Sequence, residues 1–174
     1  MPLFYVAGAS GVGKSTVCAE LVRRGHPAYD VDADGLGEWL DRSGTAVAMP
    51  EAALRDDAWF ADHTYTLPPA TVRRLVMEVG DVVGFVCGTV GNEGEIWALF
   101  AHVISLSVDA DTVRRRIAQR PEGFGSSEEE LGRILHWHAT IDADNARFGA
   151  TLVDASQPVT AVADEVLKVV EEHR

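Results

Sequence analysis

The chain has 174 residues, 47% of them hydrophobic and 24% charged, with a formal net charge of −12. That length and balance fit a single domain with a full apolar core, and the acidic surplus argues against general binding to duplex nucleic acid. No stretch approaches the roughly 18–20 apolar residues that a membrane helix needs.

Residues 3–7, Leu-Phe-Tyr-Val-Ala, form an apolar run of strand length. The next nine, Gly8-Ala9-Ser10-Gly11-Val12-Gly13-Lys14-Ser15-Thr16, fit G-x-x-x-x-G-K-[ST]. Behind them Val17, Leu21 and Val22 recur at helical spacing, so the motif stands between a strand and a helix, where a phosphate loop belongs. Gly8, Gly11 and Gly13 let the backbone curl, so that the N–H groups from Ser10, Val12 and their neighbours through Thr16 point inward as an anion nest. The helix opening near Lys14 adds its dipole and unpaired amides. Lys14 is expected to reach the β- and γ-phosphates of ATP, and Ser15 to ligate Mg²⁺. Lysine is otherwise rare here: the chain has only Lys14 and Lys168 among many arginines.

The first helix, 14–24, is stopped by Gly25 and Pro27. A strand at 28–31 runs into the acidic turn Asp30-Val31-Asp32-Ala33-Asp34. Leu36, Trp39 and Leu40 predict a short helix over 35–43, and a second helical pattern covers 51–58. The irregular stretch of about 33–68 is expected to be an insertion on the substrate side. Helix 70–79, buried strand 82–86, loop 87–92, helix 93–101, strand 102–108 and an Arg-rich helix 110–120 follow. A loop at 121–126 leads to a long helix from Ser127, where Ser127 and Glu130 resemble a capping box. Strand 151–154 and amphipathic helix 158–172 complete the chain. Strands alternating with helices at this spacing predict a parallel sheet covered on both faces. Ligands of such sheets bind beyond the carboxyl ends of the strands. That rule gathers the phosphate loop, Asp30–Asp34, the 87–92 loop and Asp154-Ala155-Ser156 at one edge. Cys18 and Cys87 make no metal motif. With no room for a leader before the first strand, a cytoplasmic location is expected and a disulfide is not.

The phosphate loop, the Asp-x-Asp after the second strand and the short length resemble the P-loop small-molecule kinases, the group of shikimate kinase, gluconate kinase and the nucleoside monophosphate kinases. The resemblance implies an α/β three-layer sandwich of the P-loop NTPase type. Its five-stranded parallel sheet has strand order 2-3-1-4-5, with an acceptor region after strand 2 and a lid, here about 114–127. Asp30-Val31-Asp32 looks like the Asp-Thr-Asp of shikimate kinase. Carried over, Asp30 assists Mg²⁺, and Asp32 binds the acceptor or takes its proton. Arg116 and Arg120, four apart on one helix, stand where similar kinases place lid arginines over the transferring phosphates, with Arg116 also beside the nucleotide. The loop holding Ser156 resembles the segment that seats adenine.

Strand 3 ends in Cys87-Gly88-Thr89-Val90-Gly91-Asn92, which matches neither the glycine run of shikimate kinase nor the Asp-Gly of adenylate kinase. Gly88, Thr89 and Asn92 are therefore acceptor-side candidates whose neutral groups suit a sugar or base better than a carboxylate. The expected activity is Mg²⁺- and ATP-dependent phosphoryl transfer to a nucleoside, nucleotide or sugar-like metabolite by a monomer or homodimer. The alternative is an NTP-binding regulatory module that hydrolyses slowly and phosphorylates no small acceptor.

Overall fold

The computed structural model describes residues 2–51, 54–119, 125 and 127–173. Its centre is β1 (Leu3–Ala7), every residue of which is buried. Side chains alternate across a strand. Phe4 and Val6 therefore enter one half of the core and Leu3, Tyr5 and Ala7 the other. Full burial of each large side chain contributes about 1.5–3 kcal/mol. Only a sheet covered on both faces gives such a strand two dry sides.

Four strands join β1: β2 (Ala28–Asp30), β6 (Gly84–Cys87), β7 (Val103–Ser107) and β8 (Thr151–Asp154), in the order β2-β6-β1-β7-β8, every neighbouring pair parallel. Counted within this sheet, that is the expected 2-3-1-4-5. Phe4 and Val6 pack with residues of α1 (Lys14–Arg23), α5 (Ala110–Ala118), α6 (Glu128–Arg147) and α7 (Val159–Glu172). Leu3 and Tyr5 pack with residues of α3 (Pro69–Val79) and α4 (Glu93–Ile96). Pro69 opens α3 at a position where its missing N–H costs nothing. A 3₁₀ turn, Trp97–Leu99, follows α4, so helix 93–101 is shorter than its pattern suggests. Cys18 and Cys87 are both free and buried.

The insertion departs from the expected helices. Residues of the supposed helix 35–43 form β3 (Glu38–Asp41), which pairs antiparallel with β4 (Ala46–Val47) and β5 (His63–Thr66) in a second, three-stranded sheet of order β4-β3-β5. Trp39 stands opposite Tyr65 on one side and Val47 on the other. Its ring lies 5.2 Å from that of Tyr65 and 4.7 Å from that of Trp59. These cross-strand contacts outweigh the local helical spacing of Leu36, Trp39 and Leu40. Gly37 meets the Tyr65 ring so closely that a Cβ there would lie 2.3 Å from it. The helix sought at 51–58 is instead α2 (Asp57–Asp62), capped by Asp56, whose carboxylate accepts from Trp59 N at 2.8 Å.

The capping box at α6 is half formed. Ser127 Oγ accepts from Glu130 N at 3.1 Å. The Glu130 side chain, 2% exposed, turns to Gly125 N at 2.9 Å and to Arg55 of the insertion at 3.0 Å. Arg120 and most of the 121–126 loop lie outside the described residues. Among the described residues no helix is long and apolar enough to cross a membrane.

Candidate active site

The phosphate loop leaves β1 at Gly8 and enters α1 at Gly13. Gly8 has φ +131°, and a Cβ there would lie 2.6 Å from Leu106 O. Only glycine lets the loop cross β7 at that height. Gly11 and Gly13 are also left-handed, at φ +89° and +109°. Lys14 Nζ donates to Gly8 O and Ala9 O, both at 2.9 Å, so its charge lies across the rim of the loop. Ser15 and Thr16 are exposed in the first turn of α1.

Beside this loop lies a cavity of about 350 Å³, walled by Val12, Thr16, Arg116, Ala155, Gln157 and Val159 among others. Arg116 builds one wall: Nη1 donates to Val12 O at 2.6 Å and Nη2 to Ala155 O at 2.8 Å. It thereby ties the phosphate loop to the segment between β8 and α7. Ser156 is exposed next to this cavity, and its N–H donates to Asp154 Oδ1 at 2.9 Å. Its neighbours Ala155 and Gln157 form the lining, and Gln157 was not singled out from the sequence.

On the other side, Asp30 and Asp32 sit at the end of β2, two strands from β1, or about 10 Å at ordinary strand spacing. The turn is closed by its own carboxylates. Asp30 Oδ1 accepts from Asp32 N and Ala33 N, both at 3.0 Å, and Asp34 Oδ2 accepts from Asp30 N at 2.8 Å. Asp32 is exposed, and its charge acts on the Tyr65 phenol. Burial, and then the Asp32 charge, push the Tyr65 phenol well above its usual range, so it stays a donor.

The loop after β6 is stitched into this arrangement. Thr89 Oγ1 donates to Gly8 O at 2.6 Å, and Gly91 N donates to Tyr65 O at 2.7 Å. Asn92 Oδ1 accepts from Leu67 N and its Nδ2 donates to Leu67 O, each at 3.0 Å. Asn92 thus spends its amide on the scaffold, whereas Thr89 keeps free acceptor capacity. Gly88 is packed on Val31, 2.5 Å from where a Cβ would stand. Next in the chain is Glu93, which no sequence motif pointed to. Burial pushes its carboxyl up to about 7, against a smaller opposing pull from Lys14.

Among the described residues no group of three or more His, Cys, Asp or Glu side chains is placed to hold a metal. A Mg²⁺ site here would therefore combine few protein oxygens with phosphate and water, the usual habit of that ion. The exposed Ser15 and the second oxygen of Asp30 fit such a role.

A profile of the AAA domain family (AAA_18) matches residues 5–134. No curated protein is significantly similar to the chain. Among solved structures, shikimate kinase from Acinetobacter baumannii in complex with shikimate aligns with TM-score 0.67 at 15% identity, covering 100% of this chain and 95% of that one. A gluconokinase from Sinorhizobium meliloti aligns with TM-score 0.54 at 17% identity, covering 97% and 91%. A sugar kinase from Janibacter sp. aligns with TM-score 0.55 at 18% identity, covering 98% and 95%. At these identities the likeness is one of fold: an α/β phosphate-loop kinase architecture.

Proposed function

The chain belongs to the AAA domain family, and on that premise we propose that it is an ATP- and Mg²⁺-dependent phosphotransferase acting on a hydroxyl of a small molecule. The observation that carries this reading is the pairing of two half-sites on one sheet edge. The phosphate loop with Lys14 adjoins the cavity of about 350 Å³ on one side. Across β6 stands an exposed carboxylate, Asp32, at the end of the turn after β2. A hydrolase needs no such second half-site.

In this proposal the cavity takes the nucleoside, with Arg116 holding its wall. The loop amides and Lys14 bind the β- and γ-phosphates, with Ser15 and Asp30 holding Mg²⁺, directly and through water. The ion supplies charge neutralisation on the phosphates. Asp32 positions the acceptor hydroxyl. Its oxygen attacks the γ-phosphorus, the new O–P bond forms as the bond to the ADP oxygen breaks, and the hydroxyl proton passes to Asp32. Arg120 is proposed to stabilise the charge of the transferring group. The fold and the negative net charge are consistent with a cytoplasmic enzyme that binds no duplex nucleic acid.

The test is ADP release from ATP and Mg²⁺ across nucleosides, nucleotides, sugars and sugar acids, with Lys14→Ala as the blank. One acceptor should raise turnover well above the ATP-only rate, and Asp32→Asn should reduce that transfer by about 10²–10⁴-fold while ATP still binds. A panel in which no acceptor raises turnover, with ATP bound through Lys14, would overturn this reading in favour of the regulatory module.

A further inference from the structure

Two guanidinium nitrogens are buried without a hydrogen-bond partner: Arg55 Nε and Arg133 Nη1. Both stand in one seam, where the insertion meets α6. Arg55 Nη2 lies 3.0 Å from Glu130 Oε1, and Arg133 Nη2 donates to Asp57. Arg55 and Asp57 are two residues apart in the insertion. Glu130 and Arg133 are three apart on α6, so they share a helix face at about 5–6 Å. The two ion pairs therefore cross the seam side by side and bring the two arginines together.

The arginines are held in place. Their side chains are only 12% and 10% exposed. Arg133 lies over the Phe60 ring at 4.3 Å, and Trp59 and Trp137 lie against that ring at 5.1 and 6.3 Å. Stacking of this kind fixes the plane of the guanidinium. Arg55 Nη1 reaches the Met49 sulfur, a weak acceptor, at 3.5 Å. Unpartnered buried polar atoms are few in native proteins and call for an explanation, an occupant among them. A guanidinium only donates, so an occupant that joins Arg55 Nε and Arg133 Nη1 must accept, and two adjacent forks suit a carboxylate.

The two carboxylates already in the seam are not alike. Glu130 is 2% exposed, and its second oxygen accepts from Gly125 N at 2.9 Å, so it is fixed. Its Oε1 makes no hydrogen bond, and the approach of Arg55 is an ionic contact alone. Asp57 is 94% exposed, and among the described residues Arg133 is its one ion-pair partner. Asp57 is thus free to swing into solvent. A singly charged carboxylate can replace it with the charge balance unchanged, whereas a phosphate dianion would leave surplus negative charge in a dry seam.

We propose that Arg55 and Arg133 form an anion site that Asp57 fills as an internal plug. The carboxylate of an acidic ligand takes the place of Asp57 on Arg133 and reaches the open N–H of Arg55. On the phosphotransferase reading that ligand is the acceptor, because the insertion returns to the acceptor loop at Leu67, where Asn92 holds it. The binding itself does not depend on that reading.

The test uses acetate as the smallest carboxylate, with acetamide as its neutral counterpart, phosphate as the dianion and chloride at equal ionic strength as the blank. Binding to the full chain is titrated by tryptophan fluorescence, since Trp59 and Trp137 flank Phe60, and by thermal shift. Acetate should bind in preference to acetamide and phosphate. Asp57→Ala, which removes the plug, should lower the acetate Kd about tenfold, and Asp57→Asn should lower it less. Arg133→Gln in the Asp57→Ala background should abolish the gain, and Arg55→Gln should reduce it. No acetate binding, equal affinity in the wild type and both Asp57 variants, a gain that survives Arg133→Gln, or tighter binding of phosphate or acetamide would overturn the proposal. Acetate binding that follows this pattern, with no acceptor raising ADP release, would keep the plugged anion site and sink the phosphotransferase reading. Transfer to an acceptor, with acetate indifferent to Asp57 and Arg133, would do the reverse.

Discussion

Asn92 closes a two-point ring with the backbone of Leu67, its carbonyl oxygen accepting the N–H and its amide donating to the C=O, both at 3.0 Å. Leu67 is 0% exposed and marks the point where the insertion returns to the main fold. One side chain thus fixes the acceptor loop after β6 against the end of β5. Asn92→Ala leaves a buried N–H and C=O unpaired, at a cost of about 2–4 kcal/mol. In a chain of this size that lowers Tm by roughly 4–16 °C, measurable by calorimetry. Asn92→Asp keeps the acceptor and loses the donor, so it should fall between the two.

Arg116 joins Val12 O to Ala155 O, and both residues wall the nucleotide cavity. Arg116→Ala frees two carbonyls and loosens the wall at the phosphate loop. The Kd for a non-hydrolysable ATP analogue should rise about tenfold, the loss of roughly 1.4 kcal/mol, by titration calorimetry. Lys at this position reaches one carbonyl but not both, because it lacks the planar fork. Arg116→Lys should therefore recover only part of the affinity.

The parts of this site that a reader of the sequence finds are local. The phosphate loop is one continuous segment, and its chemistry needs no distant partner. The main sheet is legible because its strands are apolar runs separated by helical periods, as in 84–87 after 69–79. The insertion is not, because β3 is decided by Tyr65, Val47 and Trp59 across space rather than by its own pattern. Glu93 was invisible for a related reason. A glutamate at the start of a short helix is ordinary in sequence, and only the packing around β1 and β6 shows that its Oε1 is buried and unpartnered. Likewise Asn92 looks like a polar loop residue until Leu67 is placed beside it.

Arg55 and Glu130 join the insertion to the base of α6 at 3.0 Å, with side chains 12% and 3% exposed. Breaking a buried pair from one side leaves a charge without compensation, typically costing about 3–5 kcal/mol. Arg55→Met should therefore be strongly destabilising in urea denaturation. Glu130→Gln in that background removes the stranded charge and keeps a carbonyl oxygen for Gly125 N, the present partner at 2.9 Å. The double variant should recover at least half of the loss. Additive effects of the two substitutions would show that the pair is not coupled.

The raised Glu93 carboxyl has a stability consequence independent of any acceptor. Its value in the fold is about 7, against about 4.3 in an unfolded chain. Between these values the folded protein holds a proton that the unfolded chain has released, so the contribution of Glu93 to stability falls as pH rises. Below about pH 4 both states are protonated and the residue is neutral in its effect. Above about pH 7 the full cost is present, about 2–3 kcal/mol after allowance for partial solvent access. Glu93→Gln should consequently raise Tm at pH 8, by roughly 4–12 °C in a chain of this size, and change it little at about pH 4. Melting curves of both proteins across that range decide the matter: parallel profiles would mean that burial does not raise the carboxyl.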